Sequence, residues 1–342
     1  MSEYLNVDSD NIEGAEDMTP VTSIQLGLSR IRKSDGALTV SALLMVGALA
    51  AFVVGLIIDP RLITGAPAWL KPAKFAVSTA IYMFTLAWVF TYLSEWPRLR
   101  KLVGRGTAAV FIVEVAIIAL QAWRGTTSHF NYSTPLNGAL FAIMGSAIVL
   151  QTLLSVAVAV ALWRQQFQDR ALGWALRLGM AITIAGAFTG GLMTRPTDAQ
   201  LDQIVATRQA TIIGAHTVGA PDGGPGLPGT GWSVEHGDLR VPHFIGLHAL
   251  QLLPVIALLL WRRRIEDRRR ARLVVVAGGS YAALFLMLIW QALRGQALVS
   301  PDTLTVSVFV VWAALTARMA VWPFRTRTSR SDGDATLNWI NP

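Results

Sequence analysis

Eight runs of about 20 mostly apolar residues constrain this chain more than any other feature of its sequence. Each run is long enough to cross a membrane as a helix, and a helix satisfies its own backbone hydrogen bonds in lipid. With 53% hydrophobic and 15% charged residues, the composition excludes a soluble domain of this length. The sequence therefore predicts an all-α, polytopic membrane helix bundle. Its eight transmembrane helices are expected at 37–58, 73–93, 107–123, 138–163, 174–193, 242–261, 273–293 and 305–322.

The distribution of Lys and Arg predicts the orientation of these helices. Of the 29 basic residues, 19 fall in the tails and in the connections after spans 2, 4 and 6, and eight lie on the other side, seven in the connections and Lys74 at the start of span 2. Because basic connections stay in the cytoplasm, both termini are expected there. The net charge of +8 is thus explained by membrane topology, and no nucleic-acid partner is expected.

The two ends of the chain are predicted to be cytoplasmic tails, 1–36 and 323–342. The first tail begins with acidic and no basic side chains, which is not the pattern of a secretory signal. Within it, Val21–Lys33 has the pattern of an amphipathic surface helix. The absence of cysteine excludes disulfides, thiolate metal ligands and redox thiols.

A weak internal duplication relates the two halves of the chain. Five residues between positions 51 and 60 recur 136 residues later. Farther along, the offset is 170 residues: Pro72 matches Pro242, and Gln121-Ala-Trp-Arg-Gly matches Gln291-Ala-Leu-Arg-Gly. Four spans in each half give both the same orientation, as in transporters built from parallel repeats. Chance recurrence of small apolar residues is the alternative. The two predicted repeats are 37–163 and 174–322.

The change of offset predicts one insertion, 194–241, in the outer connection after span 5. Within it, residues 214–231 contain seven glycines and three prolines. The pattern Gly-x-Gly-x-x-Gly occurs there, but no strand precedes it and prolines interrupt it, so a dinucleotide site is excluded. Two structures stay open for this segment: a flexible linker and an ordered lid over the outer mouth of the bundle.

All five histidines are predicted on or near the outer side, four of them within 214–253. Neutral imidazole binds zinc, copper and haem iron, so they are candidate ligands of a transition metal or haem. The candidate metal ligands are His129, His216, His236, His243 and His248. For a cofactor, the candidate binding residues are His248, Gln251 and His129. The alternative for His248 is a hydrogen bond that caps the helix or anchors the loop.

Glu114 is a carboxylate well inside a span, about 13 Å below the outer edge at Trp123. Such a group is a functional candidate, with a structural hydrogen bond as the alternative. Glu114, Arg124 and Lys74 are the candidate catalytic residues. Arg124 also suits the C-terminus of a helix, which is its structural alternative. The predicted cations near the outer mouth are Lys71, Lys74, Arg124, Arg195 and Arg294, and those left without carboxylates could hold an anionic small molecule or lipid headgroup.

Segments 69–75, 124–131, 214–226 and 237–251 resemble those of a group of uncharacterised multipass membrane proteins of bacteria. The likeness covers most of residues 60–260. It implies a location in the bacterial inner (plasma) membrane, and it carries no activity, cofactor or catalytic residue.

The sequence leaves three functions open. A histidine-bound metal or haem centre would serve membrane redox or enzymatic chemistry. A proton-coupled transporter would use Glu114 as its proton-binding group. A sensory, lipid-binding or assembly protein would have no turnover.

Overall fold

The computed structural model describes residues 35–263 and 265–325, so the predicted surface helix Val21–Lys33 and most of both tails lie outside it. The described residues are mainly helical and include two short strand pairs. Seven helices among them are long and apolar enough to cross a membrane, and a bent pair forms an eighth candidate. The predicted all-α membrane bundle is therefore confirmed.

The helices are α1 (Gly36–Ile58), α2 (Leu70–Val89), α3 (Pro97–Trp123), α4 (Pro135–Arg164), α5 (Arg170–Met193), α6 (Asp198–Thr207), α7 (Arg240–Leu247), α8 (Ala249–Arg262), α9 (Asp267–Leu293) and α10 (Thr303–Arg325). The strands are β1 (Leu62–Ile63), β2 (Ala66–Pro67), β3 (Thr217–Val218) and β4 (Gly237–Asp238). We call the end of the bundle with connections 59–69, 124–134, 194–239 and 294–302 the loop side, and the other end the basic side.

Local sequence determines where several helices begin. Asp35 caps α1 by accepting a hydrogen bond from the Leu38 N–H at 2.9 Å. Thr134 caps α4 and Asp169 caps α5 in the same way. Helix α3 begins at Pro97, well before the predicted span, because proline suits the first helical turn and the basic residues after it continue the helix beyond the apolar run.

The two halves have the same pattern of helix neighbours. In the first half, α1 packs against α2 and α3, and α3 also packs against α2 and α4. In the second half, α5 packs against α7, α8 and α9, and α9 also packs against α7, α8 and α10. The contact between α4 and α5 joins the halves. The predicted duplication requires this pattern, with α7 and α8 together in the place of α2.

A small antiparallel strand pair precedes the second span of each half. Strands β1 and β2 are joined by the tight turn Thr64-Gly65, whereas β3 and β4 enclose residues 219–236. Helix α2 starts directly after Trp69 and α7 directly after Leu239, positions that differ by the offset of 170. Residues 219–236 therefore occupy the place of a two-residue turn.

The sixth span is broken at His248, where α7 and α8 meet at 46°. A hydroxyl from the neighbouring helix α5 accounts for the break. The Thr183 hydroxyl accepts from the Leu250 N–H at 3.2 Å and donates to the Leu247 carbonyl at 3.3 Å. It thus substitutes for backbone bonds of a continuous helix.

A second hydroxyl supports the same break from α9. The Tyr281 hydroxyl donates to the Ile245 carbonyl at 2.6 Å. At the equivalent positions of the first half, Thr183 is replaced by Gly47 and Tyr281 by Phe111. The first half has no hydroxyl to insert at either point, and α2 is continuous.

Close contact between α5 and α7 positions the start of the broken span. A Cβ on Gly246 would lie 2.5 Å from the Cα of Gly186, a distance that no side chain tolerates. Glycine at both positions lets the two backbones touch, as small residues do between membrane helices. The contact holds α7 against α5 on the loop side of the bundle.

Candidate functional site

The candidate site lies on the loop side, where α2 and α7 begin beneath residues 214–239, which we call the covering loop. This loop is folded on itself: the Leu227 N–H donates to the Trp232 carbonyl and the Gly231 N–H donates to the Leu227 carbonyl, both at 2.8 Å. The sequence left open a flexible linker and an ordered lid for this segment, and these bonds favour the ordered lid.

Two cations connect the covering loop to the bundle. The Lys74 ammonium of α2 donates to the Thr230 carbonyl at 2.9 Å. The Arg240 guanidinium of α7 donates to the Gly231 carbonyl at 2.6 Å and forms an ion pair with Asp238. Since both carbonyls belong to one turn of the loop, the loop lies directly over the two helix starts.

Lys71 is a third cation at this place, and it differs from the other two. Its side chain is partly buried, and no hydrogen bond or ion pair within 4.0 Å involves it among the described residues. Lys74 and Arg240 repel its charge, whereas Asp222 and Glu114 attract it. The Lys71 ammonium therefore has charge and hydrogen-bond donors to offer to a ligand.

Glu114 of α3 lies deeper, at 1% exposure. Its Oε1 has no hydrogen-bond partner among the described residues, and Lys71 is the charged group that acts on it. An unpartnered carboxyl oxygen in the membrane interior is costly, so this position is not explained by helix packing. The structural hydrogen bond that was the alternative for Glu114 Oε1 is not formed within the described part of the chain.

His216 pairs with a carboxylate of the covering loop. Its Nδ1 lies 2.6 Å from Oδ2 of Asp222, and its carbonyl accepts from the Leu239 N–H. Burial lowers the pKa of His216 although Asp222 acts in the opposite direction. Burial acts to raise the pKa of Asp222, but hydrogen bonds from His216 and Thr217 outweigh it and hold that pKa well below its ordinary value. His216 and Asp222 thus form a hydrogen-bonded pair within the covering loop.

His129 lies between aromatic rings at the end of α3. Its ring centroid is 5.8 Å from that of Phe75, 6.1 Å from that of Phe130 and 6.1 Å from that of Phe141. Burial and the charge of Lys71 hold the pKa of His129 well below its ordinary value. His129 is thus a neutral, partly buried group beside the cationic site.

The other three histidines have separate surroundings. The Nδ1 of His243 lies 2.8 Å from the Gly186 carbonyl, so it donates to the backbone of α5. His248 stands at the helix break with its ring 4.3 Å from that of Phe244, and the amide of Gln251 reaches the Thr85 hydroxyl of α2 at 3.4 Å. His236 lies in the covering loop, near β4.

No group of three His, Asp or Glu side chains among the described residues has an arrangement that could hold a metal ion. His129, His216 and His243 are near enough to influence one another electrostatically. The Nδ1 atoms of the three rings have separate partners, which are the Ser128 hydroxyl, the Asp222 carboxylate and the α5 backbone. The metal or haem centre stays a prediction, which elemental analysis and an absorption spectrum of the purified protein test.

Arg124 connects two helices on the loop side. Its guanidinium donates to Gln121 and, at 2.8 Å, to Asn137, so it ties the end of α3 to the start of α4. Arg294 ties α9 to α10 at the equivalent position through Asp302 and Thr305. This agrees with the alternative that the sequence offered for Arg124, a cation at a helix C-terminus.

The covering loop joins the starts of α2 and α7, and Lys71 of α2 acts electrostatically on Glu114. The structure also adds residues that the sequence did not single out. Arg240 becomes part of the site because it holds the covering loop. Lys71, rather than Lys74, keeps an unpartnered charge, which depends on where the loop carbonyls lie. Tyr82, Thr107 and Gln151 are further polar residues in the membrane interior; their hydroxyl and amide groups within apolar runs are a signal that the sequence does contain.

The multipass bundle is established by its helices. The chain matches no protein-family model, no curated protein and no solved structure.

Proposed function

We propose that this protein is a proton-coupled permease that binds a small anion at Lys71 and a proton at Glu114. One observation carries the proposal. A partly buried ammonium without a partner and a buried carboxyl with an unpartnered oxygen act electrostatically on each other beneath a folded loop.

Charge balance links the two ligands. When Glu114 is ionised, its charge compensates that of Lys71; when it is protonated, the Lys71 charge needs an anion. A proton and an anion therefore bind more tightly together than either binds alone, which is the linkage that symport requires. Lys71 also lies in the first turn of α2, where the helix dipole favours negative charge.

The loop side is the outer side in this proposal. The Lys and Arg residues concentrate at the other end of the bundle, which supports a cytoplasmic location for that end and for both termini. The membrane is the bacterial inner membrane, as the resemblance of the loop segments implies. The covering loop would then regulate access from outside.

The test is equilibrium binding of radiolabelled inorganic phosphate, sulfate and succinate to the purified protein at several pH values. We expect binding of one of these anions that tightens as the pH falls. Lys71→Met should weaken it about 10- to 100-fold, because a charge-assisted contact is lost. Glu114→Gln should remove its pH dependence.

Arg195→Met is the matched control, because Arg195 is an exposed cation on the same side. It should bind like the unmodified protein. If Lys71→Met and Arg195→Met bind equally well, or if none of the three anions binds, the proposal is wrong and a protein without turnover becomes the better hypothesis.

A further inference from the structure

Polar side chains continue from Glu114 toward the basic side within the first half of the bundle. Three of their buried oxygens have no hydrogen-bond partner among the described residues: Thr107 Oγ1, Glu114 Oε1 and Gln151 Oε1. Their residues are at most 7% exposed. Leaving such an atom unsatisfied costs about 1–3 kcal/mol, so three in one region need a common explanation.

Thr107 and Glu114 share one face of α3. They are seven residues apart, which is about two turns and about 10 Å along the helix. Thr107 lies nearer the basic side. The Thr107 and Glu114 side chains therefore lie one below the other, at two depths in the membrane.

Gln151 belongs to a polar cluster between α2 and α4. The Tyr82 hydroxyl lies 3.0 Å from the Ser155 hydroxyl, and the Gln151 amide donates to Ser155 at 3.4 Å and to Tyr82 at 3.5 Å. The ring of Tyr82 packs edge-on against Phe111 of α3, at 5.4 Å between centroids. The cluster thus adjoins the same helix that carries Thr107 and Glu114.

The depth of this cluster follows from one packing contact. A Cβ on Gly106 would lie 2.7 Å from the Leu154 side chain, so residues 154 and 155 of α4 are level with Gly106 and Thr107 of α3. Because α3 and α4 run in opposite directions, Gln151 lies about one turn nearer the loop side than Ser155. Gln151 is therefore intermediate in depth between Thr107 and Glu114.

Asp35 lies beyond Thr107 on the basic side. A Cβ on Gly104 would fall within 3 Å of all three atoms of the Asp35 carboxyl group, so this group rests on the α3 backbone. Gly104 precedes Thr107 by one turn. Asp35 is partly buried and caps α1, so its carboxyl group lies at the basic-side end of this series of polar residues.

The second half is apolar at three of the equivalent positions. The positions equivalent to Tyr82, Thr107 and Glu114, 170 residues later, are Leu252, Ala277 and Leu284. The scaffold therefore folds with hydrocarbon at these depths, and the polar groups of the first half serve another purpose. Buried polar atoms that lack protein partners are the sites where proteins hold internal water.

We infer that Glu114, Gln151, Tyr82, Ser155, Thr107 and Asp35 line a hydrated proton path from the centre of the membrane to the basic side. Each step breaks one O–H bond of a water, hydroxyl or carboxyl group and forms another on the next oxygen, while the Gln151 amide oxygen accepts from a water of the path, so no further reactant is needed. The path gives the proton bound at Glu114 an exit to the cytoplasm. This use rests on the proposed function, whereas proton conduction itself does not.

The test uses proteoliposomes of the full chain that contain a trapped pH-sensitive dye, with a potassium gradient and valinomycin to drive proton entry. We expect the unmodified protein to acidify the lumen. Thr107→Val, Gln151→Leu and Tyr82→Phe should each slow acidification about tenfold or more, because each removes a hydroxyl that relays protons or an amide oxygen that holds a water of the path. Tyr82→Phe removes one oxygen and keeps the ring, so it is the variant least able to disturb folding.

Ser280→Ala is the matched control, since Ser280 is a buried hydroxyl of the second half that bonds to Thr316 at 2.8 Å. It should conduct like the unmodified protein. Equal conduction by the path variants and the control, or no conduction by the unmodified protein, overturns the inference.

Anion binding is measured on the same preparations with labelled phosphate, sulfate and succinate. If the variants conduct slowly and none of these anions binds, the path stands and the permease proposal fails. If anions bind with the expected pH dependence and the variants conduct normally, the permease proposal stands and the path fails.

Discussion

Lys71 and Glu114 show how position decides the chemistry of a residue. Lys71 and Lys74 lie one turn apart on α2, yet Lys74 donates to a carbonyl of the covering loop while Lys71 has no such bond. Glu114 could be identified from the sequence, because a carboxylate inside an apolar run is rare. The sequence could not show that Lys71, unlike Lys74, has no hydrogen-bond partner among the described residues. That difference depends on where a loop more than 150 residues away places its carbonyls.

His129 leads to a prediction about pH. Burial, and then the charge of Lys71, lower its pKa in the folded state. The unfolded chain, with an ordinary pKa of about 6.5, therefore binds protons more readily. Stability is fully present above that value and falls as the pH drops below it.

We expect the unfolding temperature in detergent to fall between pH 8 and pH 5, and to fall less in His129→Phe. His236→Asn, a change in the covering loop, serves as the control. The same pH dependence in His129→Phe and the unmodified protein would contradict the assignment.

The sequence predicted the membrane-spanning helices, but it did not predict the break in the sixth span at His248. Runs of about 20 apolar residues predict membrane helices directly, and a candidate membrane helix, or in one case a bent pair of helices, lies at each predicted span. The break at His248 depends on Thr183 and Tyr281, which come from two other helices. A pattern along one helix contains no information about a hydroxyl inserted from another.

The hydroxyl of Thr183 should stabilise the broken span. In Thr183→Val the Leu250 N–H loses its acceptor, which should destabilise the protein by about 1–3 kcal/mol. Thr152→Val is the control, because that exposed hydroxyl bonds only within its own helix α4. Urea unfolding in detergent measures both, and an equal effect of the two changes would show that the Thr183 hydroxyl does not hold the break.

At the scale of the whole molecule, one half carries the polar interior and the other carries the loop that covers it. The offset between the halves was visible in the sequence through Pro72, Pro242 and the Gln-x-x-Arg-Gly runs. The sequence did not show that both halves contribute residues to one site. Lys74 of the first half lies next to Thr230 of the second half only in the folded protein.

The proposed orientation is tested by thiol labelling, since the chain contains no cysteine. Gly224→Cys places one thiol in the covering loop, and Arg268→Cys places one on the basic side; both positions are exposed. A membrane-impermeant maleimide added to intact bacterial spheroplasts should label the first and not the second. Labelling of Arg268→Cys alone would reverse the orientation.

The hairpin formed by β3, β4 and the residues between them has a practical use in experiments on this protein. Strands β3 and β4 close residues 219–236 at their base, as a tight turn is closed in the other half. At Gly224, within this segment, a Cβ would meet no atom within 4 Å. An epitope or a fluorescent reporter inserted there extends into solvent, and the fold beneath it provides a rigid attachment point for antibody fragments in electron microscopy.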